Sequence, residues 1–331
     1  MRNLALASLL ALAAALAAAL PAQATYPGTN GQIAFGRTID PSSQTRAIFA
    51  VNADGSGERQ LTNPQTGTYD DQPDWSPDGT KVAFERCMNR CELWVMNADG
   101  SGAARLGPDC QNTPPPACED RSGASWSPDG KSIAFNRGWG AVQNDQIQRS
   151  ELWVMDADGN HARPITHVTA RRPYTADDGN AMWSPSGKAL VLVISNSQLG
   201  KPAGHQAVFT IHADGTGLRR LTPWKLDAGD HPDWSPDGKL LLFRTVSADE
   251  LHGDLYTIRP NGSGLTRLTH YAPSTILLSS SFSPDGQSIT FAKGGVGGQP
   301  DIFTMHVDGS GVTPVTQTAL PDSAPDWGPA H

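Results

Sequence analysis

A chain of 331 residues with 25 Lys and Arg against 33 Asp and Glu carries a formal charge of −8, a balance without the basic face that a nucleic-acid partner requires. The length is ample for one large repeat domain. Beyond the first two dozen residues no stretch is long and apolar enough to cross a bilayer.

The N-terminus reads as a leader. "MRN" gives a short positive start, Leu4 to Leu20 is a Leu/Ala run, and Ala22 to Ala24 ("AQA") places small residues where a signal peptidase cuts. The expected division is a signal peptide over residues 1–24 and a single domain over 25–331, with a retained membrane anchor as the alternative. No cysteine stands at the cleavage point to carry a lipid.

Two turn signals then alternate along the chain. "NADGSG" at Asn52 and Asn97 recurs in variant form at Asp156, His212, Arg259 and His306. "WSPDG" at Trp75, Trp126 and Trp234 recurs as "WSPSG" at Trp183, "FSPDG" at Phe282 and a truncated "WGP" at Trp327. A period near fifty residues built from short strands means a propeller or a solenoid. In the second copy the strands are "PDWS" (Pro73 to Ser76), "KVAFER" (Lys81 to Arg86), "ELWVMN" (Glu92 to Asn97) and "AARL" (Ala103 to Leu106), rich in β-branched and aromatic residues and bounded by turn formers. In "SPDG", Pro fixes φ, Asp bonds back to the backbone and Gly accepts positive φ.

The first copy lacks its first strand, since "NGQIAF" (Asn30 to Phe35) enters at the second, and an extra "APDWGP" (Ala324 to Pro329) ends the chain. The expected fold is therefore all-β: a six-bladed β-propeller of four-stranded blades, with the C-terminal strand completing the first blade and closing the ring. The tryptophans Trp75, Trp126, Trp183 and Trp234 share one phase and are expected between blades. The fourth-strand arginines Arg59, Arg105, Arg163, Arg219 and Arg267 are expected to guard outer edges.

The four cysteines are Cys87, Cys91, Cys110 and Cys118. An even count in an exported chain favours disulfides. Local pairing, Cys87 with Cys91 and Cys110 with Cys118, is the first choice among three connectivities. Zinc is the rival, although C-x3-C and C-x7-C are not its usual spacings.

The repeats "PDWSPDGTKVAF" and "ELWVMNADGSG" resemble those of the TolB family of WD-like β-propellers, over essentially all of residues 25–331. The resemblance implies a propeller, here without the α/β domain that precedes it in that family, and a binding role at the cell envelope. Long connections after the second and fourth strands share one face, where binding is expected. The candidate site there is Asp70, Asp71, Asp120, Asp178, Asp230 and Asp322 ahead of the inner strands, with His231, Trp139 and Trp224. The acids would hold a cation or a basic segment, or else cap turns. Tyr174 and Tyr271 also lie off the repeat phase. "DADGN" at Asp156 is hairpin chemistry, because an EF-hand needs Gly at its sixth position and Glu at its twelfth.

No catalytic residues are assigned: the G-x-S-x-G elbow is missing from the sequence. The expectation is an exported binding or scaffold propeller, periplasmic or secreted, probing a protein or cell-envelope ligand as a monomer. It would have no cofactor, apart from a divalent cation at the channel mouth as the variant considered. The alternative is a secreted metal-dependent polysaccharide lyase or hydrolase, since oligogalacturonate lyase resembles this fold and uses channel-mouth histidines. His167, His205, His231, His252 and His270 fall in or beside the long connections, without a ligand spacing.

Overall fold

A computed structural model of the protein describes residues 27–109, 119–139, 149–167, 175–176, 181–196, 205–229, 231–246, 253–295 and 299–331. The expected leader, Cys110, Cys118, Tyr174, Asp178, Asp230, His252 and the Trp139 side chain lie outside the described set.

In chain order the strands are β1 (Asn30–Asp40), β2 (Thr45–Val51), β3 (Arg59–Gln60), β4 (Tyr69–Trp75), β5 (Lys81–Cys87), β6 (Cys91–Asn97) and β7 (Ala104–Leu106). There follow β8 (Asp120–Trp126), β9 (Ser132–Trp139), β10 (Arg149–Asp156), β11 (Arg163–Pro164), β12 (Thr175–Ala176), β13 (Met182–Trp183), β14 (Ala189–Ser195), β15 (Gln206–His212) and β16 (Arg219–Arg220). The last are β17 (Asp233–Trp234), β18 (Leu241–Arg244), β19 (Leu255–Ile258), β20 (Thr266–Arg267), β21 (Ile276–Phe282), β22 (Ser288–Gly294), β23 (Asp301–His306), β24 (Thr313–Pro314) and β25 (Asp322–Pro329). One 3-10 turn, Trp224–Leu226, is the helical element among the described residues.

The turns form as their residues dictate. In the second repeat unit Ser76 Oγ donates to Asp78, and Gly79, at φ 69°, sends its N–H to Ser76 O. At Asn52 to Gly57 the Asp54 carboxylate accepts the Ser56 N–H, and Gly55 at φ 81° closes the hairpin on Asn52 O. These bonds satisfy the turn backbone locally, so the strands on either side meet in register.

The sheet count corrects the expectation of six four-stranded blades. Four sheets stand as single blades: β8–β11, β12–β16, β17–β20 and β21–β24, the second of them five-stranded. The remaining eight strands join in one sheet, ordered β25-β1-β2-β4-β5-β6-β7 with β3 beside β2. The arrangement is propeller-like, but it is not six blades. The physical reason lies at β2: its short partner β3 covers only Phe49 and Ala50, leaving the start of β2 open. Arg46 N–H then donates to Thr68 O at 3.3 Å, and Arg46 pairs in parallel with Tyr69 of β4. Turn signals count sequence units, whereas hydrogen bonds decide where one sheet stops.

At the ends of the chain β25 pairs antiparallel with β1, Ile33 opposite Trp327 and Arg37 opposite Asp322. The core lies between neighbouring repeat units. Ile33, Val82, Ile133, Leu190, Leu241 and Ile289, at one position of the second strand, are all fully buried. The repeat aromatics Trp75, Trp126, Trp183, Trp234, Phe282 and Trp327 are buried as well, Phe282 completely. Each such side chain withdrawn from water contributes roughly 1.5–3 kcal/mol. Three of the fourth-strand arginines tie one unit to the next. Arg59, Arg163 and Arg219 reach the turn carbonyls of Ala98, Ala213 and Asn261 in the following units.

A threonine ends most fourth strands and caps the third. Thr62, Thr166, Thr222, Thr269 and Thr316 present Oγ1 to the N–H groups of Ile48, Leu152, Val208, Leu255 and Ile302. This is the repeated "LT" of "RQLT" and "TRLT". The second unit breaks it, with Gly107 following Leu106.

Candidate functional site

The channel wall is shaped by a kink in the inner strands. Pairing of β4 with β5 slips between Asp71 and Asp74, and that of β8 with β9 slips between Ser122 and Ser125. At this point Gln72, His231 and Ala324 take φ of 51°, 56° and 47°, where the third unit uses Gly123. A side chain there costs about 1–2 kcal/mol, and such strain collects where surrounding contacts over-determine the backbone.

Two residues beyond Gln72, His231 and Ala324 stands an aspartate, the D of "PDW", and it reaches into the next unit. Asp74 accepts the N–H of Trp126, Asp233 that of Phe282, and Asp326 that of Trp75, at 2.7–2.8 Å. Asp326 also accepts the Ser281 hydroxyl at 3.0 Å. These three carboxylates are latches between units and line a channel cavity of about 30 Å³ with Gln72, His231 and Met182. That is one water's share of liquid volume. Burial pushes Asp326 up to about 6. Burial, and then the Asp326 charge, hold Asp74 well above the ordinary carboxylate range.

The acids expected at the channel mouth are held by arginines. Asp322 takes Arg37 through two bonds of 2.6 and 2.9 Å and the Thr316 hydroxyl at 2.6 Å. Arg37 also grips Glu58 and lies 4.8 Å from the Phe49 ring centre. Burial raises the Asp322 pKa despite that partner. Burial likewise opposes the Arg37 charge, but Asp322 and Glu58 outweigh it and raise its pKa. Asp70 takes Arg86 at 2.6 and 2.7 Å, with Arg86 over Trp94 at 4.5 Å. Asp71 pairs with Arg46 and Ser323, while Asp120 accepts the Cys91 N–H and lies 3.6 Å from Arg90.

Of the remaining candidates, His231 lines the channel cavity. Trp224 packs against Phe209 and under Arg220. Tyr271, whose hydroxyl burial pushes up to about 12, stacks toward Phe291. The described histidines do not converge: His205 is tied to Asp227, and His167 and His270 are exposed. Among the described residues one three-ligand grouping occurs, Glu85 with Cys87 and Cys91. Its two sulfurs are spent in the Cys87–Cys91 disulfide.

The larger concavity lies between the first two units. It encloses about 400 Å³ and is lined by Asn63, Pro64, Thr68, Met88, Trp94 and Arg105, among others. Met88 is 51% exposed and Tyr69, next to Thr68, is 36% exposed. A cleft of this size falls in the ligand-pocket range. Sequence reasoning missed both the latch and the cleft. "PDW" in three units marked the latch, whereas the cleft draws on residues from three separate stretches.

The fold is that of the TolB-like β-propellers. TolB from Acinetobacter baumannii superposes over 91% of this chain and 67% of its own, with a TM-score of 0.70 at 20% identity. An oligogalacturonate lyase in complex with manganese superposes over 88% of this chain and 75% of its own, TM-score 0.54 at 15% identity. Among curated proteins, an uncharacterized peptidase of Bacillus subtilis is 27% identical over 52% of this chain. The Tol-Pal system protein TolB of Anaeromyxobacter dehalogenans is 30% identical over 37% of it. The chain spans 28% and 24% of the length of these two relatives. No protein-family model matches the chain.

Proposed function

We propose that this chain is an exported binding or scaffold propeller that engages a protein or cell-envelope ligand through its long-connection face. The observation that carries the reading is the 400 Å³ cleft, where Trp94 and Arg105 form the wall and Met88 stands exposed at the rim. Aromatic and arginine anchors beside an apolar rim suit protein recognition. Asp70 takes part by fixing Arg86 over Trp94, and Asp71 and Asp322 hold their own arginines in the same layer. Likeness to TolB supports this role as a property of fold, and fold alone does not choose a ligand. The leader and the disulfide support export to the periplasm or beyond, with no nucleic acid, no cofactor and a monomeric state.

The test is a photo-crosslinking residue placed at Met88 or, as control, at Leu265, in cells that export the protein. A discrete adduct from Met88 that Trp94→Ala abolishes is expected. Equal adducts from both positions, or none from Met88, refute the cleft as the binding face.

The lyase alternative takes its support from the manganese-bound fold relative. The described histidines do not supply a matching ligand set, so no reaction step is assigned through a metal. Metal analysis of chelator-free protein tests it, with stoichiometric manganese lost on His231→Ala as the outcome in its favour.

A further inference from the structure

Three observations meet at one place between the second and third units. In the first unit Arg37 stands opposite Asp322, and in the second Arg86 stands opposite Asp70. Both are close ion pairs, with Nε–Oδ1 distances of 2.6 Å. In the third unit the same cross-strand position holds Arg121 opposite Arg137. The acid has been replaced by a second cation.

Glu119 pairs with Arg137, which lies 4.1 Å from the Trp153 ring centre. Arg121 sits 5.5 Å from the Phe135 ring centre. Its Nη1 is buried and, among the described residues, has no hydrogen-bond acceptor. Burial, and then Arg137, lower its pKa, and Glu119 and Glu92 oppose them only in part. A buried guanidinium N–H left unsatisfied carries the full desolvation penalty.

The second broken rule lies directly against it. Gly107 occupies the place of the capping threonine, and a Cβ there would collide with Arg121 Nη1. Threonine was given up at the position where the arginine needs room. Gly107 also stands at φ 89°, a backbone region that favours glycine.

Taking the protein-binding reading as its basis, we infer that the Arg121–Arg137 pair is a receptor for a carboxylate presented by a protein ligand. Two planar cations on aromatic rings, with Glu119 ion-paired to Arg137, leave a positive charge that one further carboxylate can balance. A peptide source is favoured over an acidic polysaccharide because the chain's charge of −8 repels a polyanion at long range. A single acid within a mixed peptide escapes that repulsion.

The probe is acetyl-Ala-Glu-Ala-amide, with acetyl-Ala-Gln-Ala-amide and trigalacturonate as comparators, titrated into the full chain. Binding is read from the arginine Nε–H resonances and from the rise in Tm. Wild type is expected to respond to the Glu peptide, and Arg121→Met and Arg121→Asp to weaken that response at least tenfold, the loss of one charge-assisted bond. Without peptide both variants are expected to melt about 2 °C higher or more, because the uncompensated cation is gone and the Asp variant restores the pairing of the first two units. Variants that melt lower and bind as before would make Arg121 a structural residue. A Gln peptide that matches the Glu peptide, trigalacturonate that binds more tightly than either, or no response in wild type would each overturn the inference. None of these results depends on the Met88 crosslink, so the two proposals fail separately.

Discussion

Asp326→Asn isolates the electrostatics of the latch. The Asp326 carboxyl rises from 3.8 to about 6 on folding because its place in the channel wall strips water from the charged form. A raised folded pKa means that the folded state holds the proton more tightly. Its contribution is therefore fully present below pH 4 and lost as pH climbs through 6. The shift corresponds to about 3 kcal/mol. Asp74, raised by burial and by Asp326, acts in the same direction. Surface turn acids act oppositely and in another window: Asp40, lowered to about 2 by the Ser42 and Ser43 hydroxyls, stabilises above pH 4 and loses that effect in stronger acid. Stability should thus peak near pH 4–5 and fall toward pH 7. Asparagine keeps an oxygen for the Trp75 N–H and offers its amide to Ser281, so it mimics the protonated acid at every pH. Urea denaturation from pH 4 to 8 is the assay. Wild type is expected to lose at least about 3 kcal/mol across that range and Asp326→Asn about 3 kcal/mol less, with buried Asp74 supplying whatever slope remains. An undiminished slope in the variant would refute the assignment of that loss to the latch.

Three further outcomes follow from named contacts. Thr222→Val removes the hydroxyl that caps Val208 N–H and leaves it buried without a partner, which should cost about 1–3 kcal/mol by chemical denaturation. Replacing Cys87 and Cys91 together by Ser opens a very short loop and should cost about 2 kcal/mol in the chain-entropy account; no loss of stability would mean that the hairpin holds itself. Deleting residues 322–331 strips β1 of its partner and Trp75 N–H of its acceptor, so the sharp cooperative melt should broaden and dye-accessible apolar surface should appear. A truncated chain melting like the whole would exclude closure by β25.

The strands were legible because their determinants are local. "SPDG" and "NADGSG" specify turns through Pro, Asp and Gly within five residues, and Trp75, Trp126 and Trp234 mark one phase of the core. The union of β2 with β4 was not legible, because it hangs on a single bridge, Arg46 to Tyr69, made possible by how short β3 is. Asp70, Asp71 and Asp322 stood out as acids near the inner strands. Their arginine partners come from other strands, and only the assembled sheets show them already paired. The latch aspartates were passed over because they merge into the "PDW" strand signal. Their role depends on a backbone N–H some fifty residues away.

The pairing of β1 with β25 has a consequence for the order of events in folding. Ile33 meets Trp327 only after all the residues between them have been made. The first repeat unit is made before the others yet waits longest for its inner strand, so its exposed edge stays open while the units between are made. Contacts of such separation are slow to form and leave unpaired edges vulnerable in the interval. The β25 segment thus acts as a timer as well as a clasp: until it arrives, the first unit is kept from reaching its finished state.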